Sequence, residues 1–196
     1  MTATTTADDL DPQLAAAVER ISRLPAALDQ LLDGVTPEQA SWRPEPNRWS
    51  IADCIDHLNI TNASYIESLG VAIPAARAAG RTGTGPFRYN WLNRWFINNL
   101  PPPPRRSFPA PKRFRPSREH DLAALVADYK RHKSELAELA AAASGLNLAG
   151  VKVPSPASKL IRISIGAVFE IMDVHDRRHL WQAEQVKSAP GLPGSV

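Results

Sequence analysis

The sequence has few of the features that mark secreted or membrane-bound proteins. Its 196 residues include a single cysteine, Cys54, so no disulfide can form within the chain and nothing indicates an oxidising compartment. The first residues, MTATTTADDLDPQ, carry no basic flank and no apolar stretch, so we expect no signal peptide. The chain also lacks the run of about twenty apolar residues that a membrane-spanning helix needs. We therefore expect a cytoplasmic protein with no membrane partner.

Charge is modest as well. Charged residues make up 22% of the chain, and the net charge is +3. Much of the positive excess falls in one segment, which contains Lys112, Arg113, Arg115 and Arg118. An isolated basic loop is usually a solvated surface, so we expect no nucleic-acid partner. The length and the 43% of hydrophobic residues fit a single domain over 1–196 with a real core.

The two-residue alternation typical of strands is missing, whereas four segments space their apolar residues as helices do. The predicted helices cover 10–33, 51–69, 118–143 and 157–187. Pro25 predicts a kink or a break inside the first helix. Pro156 suits the first turn of the fourth helix. Four amphipathic helices of similar length predict an all-α fold, namely a four-helix bundle.

The remaining segments are rich in proline, of which the chain has 18 residues. Residues 70–118 are predicted to form a long connection between the second and third helices. This connection contains a short helix predicted over 87–100 and a Pro-rich stretch over 101–116, which cannot be helical. We expect 1–9 and 188–196 to be frayed tails.

Two histidines lie four residues apart in VHDRRHLWQ, within the fourth predicted helix. The inward face of that helix is expected to carry Ile161, Ile165, Val168, Met172, His175, His179, Gln182 and Val186. Side chains at positions i and i+4 lie about 5–6 Å apart, so the imidazoles of His175 and His179 can reach one ion. Gln182 continues this face, either as a hydrogen-bonding group near the ion or as a packed polar residue.

A third imidazole can come from His57, near the start of the second predicted helix. In an up-down-up-down bundle this histidine would lie at a different height from the other two. The long connection permits an up-down-down-up order instead, in which the second and fourth helices are antiparallel. The start of one then meets the end of the other, and the three rings lie level to within a turn. We therefore predict a metal site formed by His57, His175 and His179.

Core packing is the alternative for each histidine taken alone. His132 lies on the buried face of the third helix and is expected to be a core or surface residue, and His120 is expected to be solvated. Three imidazoles suit Zn, Ni, Fe(II) or Co and leave positions open for water or substrate. A metal-bound histidine usually passes its other N–H to a carboxylate or carbonyl. The candidate carboxylates are Asp53, Asp56, Glu170 and Asp176.

Two segments, RWSIADCIDHL (48–58) and VHDRRHLWQAEQV (174–186), together with the long connection resemble the DinB family of bacterial four-helix-bundle proteins. The resemblance implies a divalent metal, usually Zn or Ni, on His57, His175 and His179. It also implies a homodimer. Characterised relatives include transferases and isomerases that use a low-molecular-weight thiol such as bacillithiol or mycothiol.

The leading functional hypothesis is a divalent-metal-dependent transferase that joins a low-molecular-weight thiol to a small electrophilic substrate. Segment 87–116 would form part of the pocket wall, with Trp91, Trp95 and Phe96 lining an apolar cleft. Plain packing over the bundle end is the alternative for these aromatic residues.

Two other functions stay open. A metal-dependent hydrolase is suggested by HDRRH, which places Asp176 after the first histidine, loosely like the His-Glu-x-x-His helix of zinc proteases. The second is a non-catalytic, stress-related protein that binds a metal or ligand. It stays open because Cys54 is expected in the core and no nucleophile–base pair is evident.

Overall fold

The computed structural model describes residues 10–103, 109–117 and 119–194, and its fold is mostly helical, as predicted. Outside the described residues lie the predicted tail 1–9, residues 104–108 of the Pro-rich stretch, Arg118 and residues 195–196. The helices are α1 Pro12–Ser22, α2 Leu24–Leu32, α3 Pro37–Ser41, α4 Ile51–Ala78, α5 Trp91–Asn99, α6 Leu122–Ala142 and α7 Ile165–Lys187. A 3-10 helix, Lys112–Phe114, precedes α6, and strands β1 Lys152–Ser155 and β2 Ser158–Ser164 precede α7.

Side-chain caps explain where several helices begin. The Ser50 hydroxyl accepts a hydrogen bond from the Asp53 backbone N–H, and the Asp53 carboxylate accepts one from the Ser50 N–H, so the two residues form a capping box at the start of α4. Pro25 has no N–H to donate and lies in the first turn of α2, so the first predicted helix divides at Arg23. The predicted break is confirmed.

The second predicted helix was too short, because α4 continues from residue 69 to Ala78. Gly70 and Pro74 are unfavourable inside a helix, and they indicated an earlier end. The side chains of Leu69, Ile73 and Ala76 nevertheless continue the buried face of the helix. Their burial against the core outweighs the low helix propensity of the two residues, so the connection to α6 is correspondingly shorter than predicted.

The first part of the fourth predicted helix was wrong. Residues 158–164 form β2, which pairs antiparallel with β1, and α7 begins only at Ile165. Val153 pairs with Ile163, and both side chains are buried in the core. Pro156 lies between the strands instead of in the first turn of a helix. A strand with only two inward residues gives too short an alternation to be distinguished from helical spacing.

Two apolar clusters show which helix ends pack together. One cluster combines α1, the later parts of α4 and α6, the hairpin and the first half of α7. The other combines α2, the first part of α4, Tyr129 of α6 and the last part of α7. The start of α4 therefore packs against the end of α7, and this contact sets the height of the histidines on both helices.

Residues 188–194 pack back onto the bundle, whereas a frayed tail was expected for 188–196. The Leu192 side chain is buried, and the Gln39 amide donates a hydrogen bond to the Pro193 carbonyl at 2.7 Å. Among the described residues, no helix combines the length and apolar character needed to cross a bilayer.

A buried ion pair joins α6 to α7. The Lys133 ammonium binds the Asp176 carboxylate, and the Tyr129 hydroxyl donates to the same carboxylate oxygen at 3.0 Å. Both charged side chains are almost fully buried, at 2% and 0% exposure. Burial lowers the pKa of Lys133 and raises that of Asp176, and the opposite charge of each partner acts against this shift. Removal of one partner would leave a buried charge unpaired.

We predict that Lys133→Met lowers the free energy of unfolding by about 3–5 kcal/mol, because the Asp176 carboxylate loses its counter-ion. Lys130→Met is the matched control, since Lys130 is also on α6 but pairs with Asp29 of α2 at the surface, where the two side chains are 43% and 56% exposed. It should cost no more than about 1 kcal/mol. Urea unfolding followed by circular dichroism measures both. Equal losses in the two variants would show that the buried pair has no special role.

Candidate metal centre

The three predicted histidines converge at the junction of α4 and α7. His57 lies in the second turn of α4, and His175 and His179 lie one turn apart on α7. One candidate ligand atom from each ring lies within 4.8 Å of the other two. The Nε2 atoms of His57 and His175 are 3.3 Å apart. The structure thus brings together the residues that the sequence singled out.

Hydrogen bonds determine which ring nitrogen of two histidines carries the proton. His57 Nδ1 lies 2.7 Å from the Phe114 carbonyl oxygen, and His179 Nδ1 lies 3.1 Å from the Gln182 amide oxygen. Both oxygens can only accept, so each Nδ1–H donates and each Nε2 keeps its lone pair for a ligand bond. Gln182 therefore forms a hydrogen bond at the site, which was one of the two roles expected for it.

Among the described residues, no hydrogen bond or salt bridge joins any of the four candidate carboxylates to the rings of His57, His175 or His179. Asp176 binds Lys133 on α6, and Asp53 binds groups at the start of α4. The Phe114 backbone carbonyl and the Gln182 side-chain amide oxygen accept the hydrogen bonds from the rings instead. No pattern in the sequence indicates Phe114, because any residue supplies a backbone carbonyl and the position of this one depends on the 3-10 helix.

Burial keeps the three imidazoles neutral. It lowers the pKa of His57, with an opposing effect of the Phe114 carbonyl. Burial and then the neighbouring rings lower the pKa of His175 well below its usual value, and the same causes lower that of His179 to about 3. At neutral pH the site therefore offers uncharged nitrogen donors, the form that binds a metal.

The spacing of one nitrogen pair fits a tetrahedral cation. Nitrogen ligands about 2.0–2.1 Å from a tetrahedral zinc are separated by about 3.3–3.4 Å. The His57–His175 separation of 3.3 Å agrees with this value. Among the described residues His175 Nδ1 has no hydrogen-bond partner, so the His175 proton can lie on either ring nitrogen. With the proton on Nε2 the 3.3 Å contact is a hydrogen bond to His57 Nε2, and with the proton on Nδ1 both Nε2 lone pairs can bind one cation.

Trp49 covers one side of the cluster. Its ring centroid lies 4.8 Å from that of His57 and 5.5 Å from that of His179. Trp49 directly precedes the Ser50 cap, so the capping box that starts α4 also positions the indole. The ring restricts both imidazoles and shields them from water on that side.

A group of polar side chains holds the segment that delivers the Phe114 carbonyl. Ser117 donates to Asp56 from its backbone N–H at 2.7 Å and from its hydroxyl at 2.9 Å. His120 Nε2 lies 2.9 Å from Asp53, and the His120 side chain is only 2% exposed. The expectation that His120 is solvated was wrong, because the chain folds over the first turns of α4 before α6 begins.

Asp53 is the centre of this group. Arg43 donates two hydrogen bonds of 2.7 Å to its carboxylate, and the Ser50 N–H donates a third. Burial alone would raise the pKa of Asp53, but the bonds from Arg43, Ser50 and His120 lower it overall.

His132 belongs to a separate contact, with Nδ1 3.3 Å from the Asn59 amide oxygen, and is not part of the histidine cluster.

A cavity of about 1290 Å³ opens onto the three histidines. Its apolar wall includes Trp49, Tyr65 and Phe96. Of the three aromatic residues expected from segment 87–116, only Phe96 lines it. Trp91 and Trp95 are 77% and 39% exposed and lie outside the lining.

The described cavity lining contains no cysteine, and Cys54 is buried in the core. Burial raises the pKa of the Cys54 thiol, so this residue is not a nucleophile at neutral pH. A thiol nucleophile for group transfer would therefore have to enter with a second molecule.

Comparison with curated proteins and with solved structures gave no match. The family model of the DinB superfamily matches residues 20–183, a range that includes all three histidines and most of both apolar clusters. The match covers well over half of the chain and agrees with the resemblance in the two histidine segments. The chain belongs to the DinB superfamily.

Proposed function

We propose that the protein is a divalent-metal-dependent enzyme whose metal, Zn or Ni, is held by His57, His175 and His179. The convergence of three neutral imidazoles, with a 3.3 Å spacing between two Nε2 atoms, carries this proposal. The Phe114 carbonyl and Gln182 support it by turning two of the lone pairs toward the centre. Three protein ligands leave a further position that faces the cavity.

The reaction we propose is transfer of a low-molecular-weight thiol to a small electrophile. A divalent cation on neutral ligands keeps its full charge and lowers the pKa of a thiol bound to it. The protein lines the cavity with no cysteine of its own, which favours an external thiol. The cavity volume of about 1290 Å³ exceeds the roughly 300–1,000 Å³ that one drug-sized ligand needs, so it can hold two reactants.

The residues around the centre bind and orient rather than transfer protons. Trp49 and the apolar wall exclude water from the rings, and the Phe114 carbonyl and Gln182 keep two rings in place. In the transfer, the thiolate sulfur forms a bond to the electrophilic carbon. The leaving group departs with its bonding electrons, and the thiol proton passes to solvent.

The hydrolase hypothesis required the Asp176 carboxylate to act as a base beside the metal. That carboxylate binds Lys133 and Tyr129 and does not face the histidines' cavity. This position favours the transferase over the hydrolase. The non-catalytic alternative has the same metal site as the transferase and differs from it only in that no substrate is turned over.

We also propose the up-down-down-up order of the four long segments. The first apolar cluster contains the early part of α7 and the late parts of α4 and α6, and the second cluster contains the opposite ends. This distribution supports an arrangement in which α4 and α6 are parallel and α7 is antiparallel to both.

The metal site predicts near-stoichiometric divalent metal in the purified protein and at least about tenfold weaker binding in His57→Ala, because one of three ligands is lost. Elemental analysis and competition with a chelator measure both. His132→Ala is the matched control, since His57 and His132 are each 5% exposed on neighbouring helices. It should keep its metal. If the two variants retain equal amounts, His57 is not a ligand.

The proposed reaction predicts that a nitro-activated aryl chloride is consumed only when metal-loaded protein and a small thiol are both present. Chloride release and absorbance of the thioether follow the transfer. His179→Ala should lower the rate at least about tenfold, since the metal loses a ligand. Ester hydrolysis without thiol would support the hydrolase instead. Full metal loading without turnover across a panel of thiols and electrophiles would support the non-catalytic alternative.

A further inference from the structure

The cavity that opens onto the histidines extends along α4 well beyond them. His57, Thr61 and Tyr65 follow one another on α4 at steps of four residues, and all three line the cavity. Eight residues of α-helix correspond to about 12 Å along the helix axis. The cavity therefore reaches a region of α4 about two helical turns from the proposed metal ligand His57.

Two buried hydroxyl groups lie in that region. Tyr65 belongs to α4 and Ser155 is the last residue of β1, and their side chains both line the cavity although the residues are only 6% and 5% exposed. The Ser155 hydroxyl lies within hydrogen-bonding reach of the Tyr65 hydroxyl. Ser155 Oγ also accepts a hydrogen bond of 3.2 Å from the Ala157 backbone N–H. The helix and the hairpin thus place a pair of hydroxyl groups in the wall of the cavity.

The pair has one hydrogen more than its own contacts use. Each hydroxyl carries one hydrogen, and a bond between the two oxygens uses only one of them, whichever group donates. The Ala157 contact uses a lone pair of Ser155 and not its hydrogen. Among the described residues, no further acceptor lies within reach of either hydroxyl. One O–H is therefore left to donate to a molecule in the cavity.

This donor is uncharged at neutral pH. Burial raises the pKa of Tyr65 to about 12, and the hydrogen bond from Ser155 and the charge of Arg113 oppose the rise only in part. Arg113 itself does not line the cavity. Tyr65 thus keeps its proton, and the pair offers a neutral hydrogen-bond donor instead of a charge.

The surroundings of Tyr65 are apolar. Tyr65 packs in the first apolar cluster with Ile163, Ile171 and Met172, and Phe96 packs against the same cluster. All four of these neighbours also line the cavity. A charged group that left water for this region would lose its hydration, and a single neutral donor does not offset that loss. An uncharged oxygen acceptor on an apolar body suits both the donor and the wall.

We propose, on the basis of the function proposed above, that the electrophilic substrate is an uncharged, largely apolar carbonyl compound. Its carbonyl oxygen accepts a hydrogen bond from the Tyr65–Ser155 hydroxyl pair, its body packs against the apolar wall, and its reactive carbon faces the metal centre. Tyr65 and Ser155 determine specificity: they select a substrate by its oxygen acceptor and take no part in bond making.

The test compares two ligands that differ in the acceptor alone. They are 4-chloroacetophenone and 4-chloro-α-methylstyrene, in which a CH₂ group replaces the carbonyl oxygen. Isothermal titration calorimetry on the metal-loaded protein measures both affinities without thiol, so that no transfer takes place. The ketone should bind at least about threefold more tightly than the alkene, because only the ketone accepts a hydrogen bond.

The double variant Tyr65→Phe/Ser155→Ala should reverse this preference, because the carbonyl then loses its water without gaining a donor. Tyr65→Phe alone should retain part of it, since the Ser155 hydroxyl can still donate. Tyr89→Phe is the matched control: Tyr89 also packs against the first apolar cluster but does not line the cavity, so the preference should be unchanged. Circular dichroism during heating checks that each variant is folded.

Three results would overturn the proposal. They are equal or weaker binding of the ketone to the parent protein, no binding of either ligand, and a preference for the ketone that survives in the folded double variant.

The same titrations with His57→Ala separate this proposal from the proposed function. A preference for the ketone that depends on the two hydroxyls and persists after metal loss would support the carbonyl site even if the protein were not a metalloenzyme. A preference that disappears with the metal and is unaffected by the double variant would instead assign the carbonyl to the metal, and the proposal would be wrong.

Discussion

The contact between the first turns of α4 and the last turns of α7 is the constraint on which the rest of the site depends. Ile51, Ile55 and Leu58 pack in one cluster with Ala183 and Val186. This apolar contact sets the height of one helix against the other, and the histidines follow because they lie on the same helices. A slip of one turn would move His57 by about 5.4 Å, farther than the distances that now separate the candidate ligand atoms.

A second constraint links the histidine geometry to the cavity. The 3-10 helix brings the Phe114 carbonyl to His57, and the residues around it also line the cavity. Asp56 holds this segment through Ser117, and Asp53 holds it through His120. Because one segment performs both tasks, a displacement of it would change the His57 hydrogen bond and the shape of the cavity together. The capping box of α4 belongs to the same arrangement, since Asp53 takes part in both.

The sequence predicted the parts of the site that depend on helical spacing. His175 and His179 share a face because they are four residues apart, and His57 was expected near the start of the second predicted helix. The start of α4 packs against the end of α7, as the prediction of the site required, although the connection from which this was argued is shorter than predicted. Local rules of this kind need no knowledge of the rest of the fold.

The parts that failed depend on contacts between distant segments. Strand β2, before α7, has too few inward residues for a recognisable alternation. Its structure is decided by its pairing with β1. The extension of α4 past Gly70 and Pro74 depends on the core that receives Ile73. The burial of His120 and the role of the Phe114 carbonyl both depend on how the chain folds over α4. A single sequence contains no periodic signal for such contacts.

The three residues between His175 and His179 show how one helix divides its tasks. Successive side chains point about 100° apart, so neighbouring positions face different surroundings. Asp176 faces α6, where Lys133 neutralises it; Arg177 binds Asp173 on α7 itself; and Arg178 borders the cavity. The acid nearest the ligands in the chain is therefore turned away from them, while a cation is turned toward the space that they face. The four-residue spacing that pairs the two imidazoles thus also directs the three residues between them to three different surroundings.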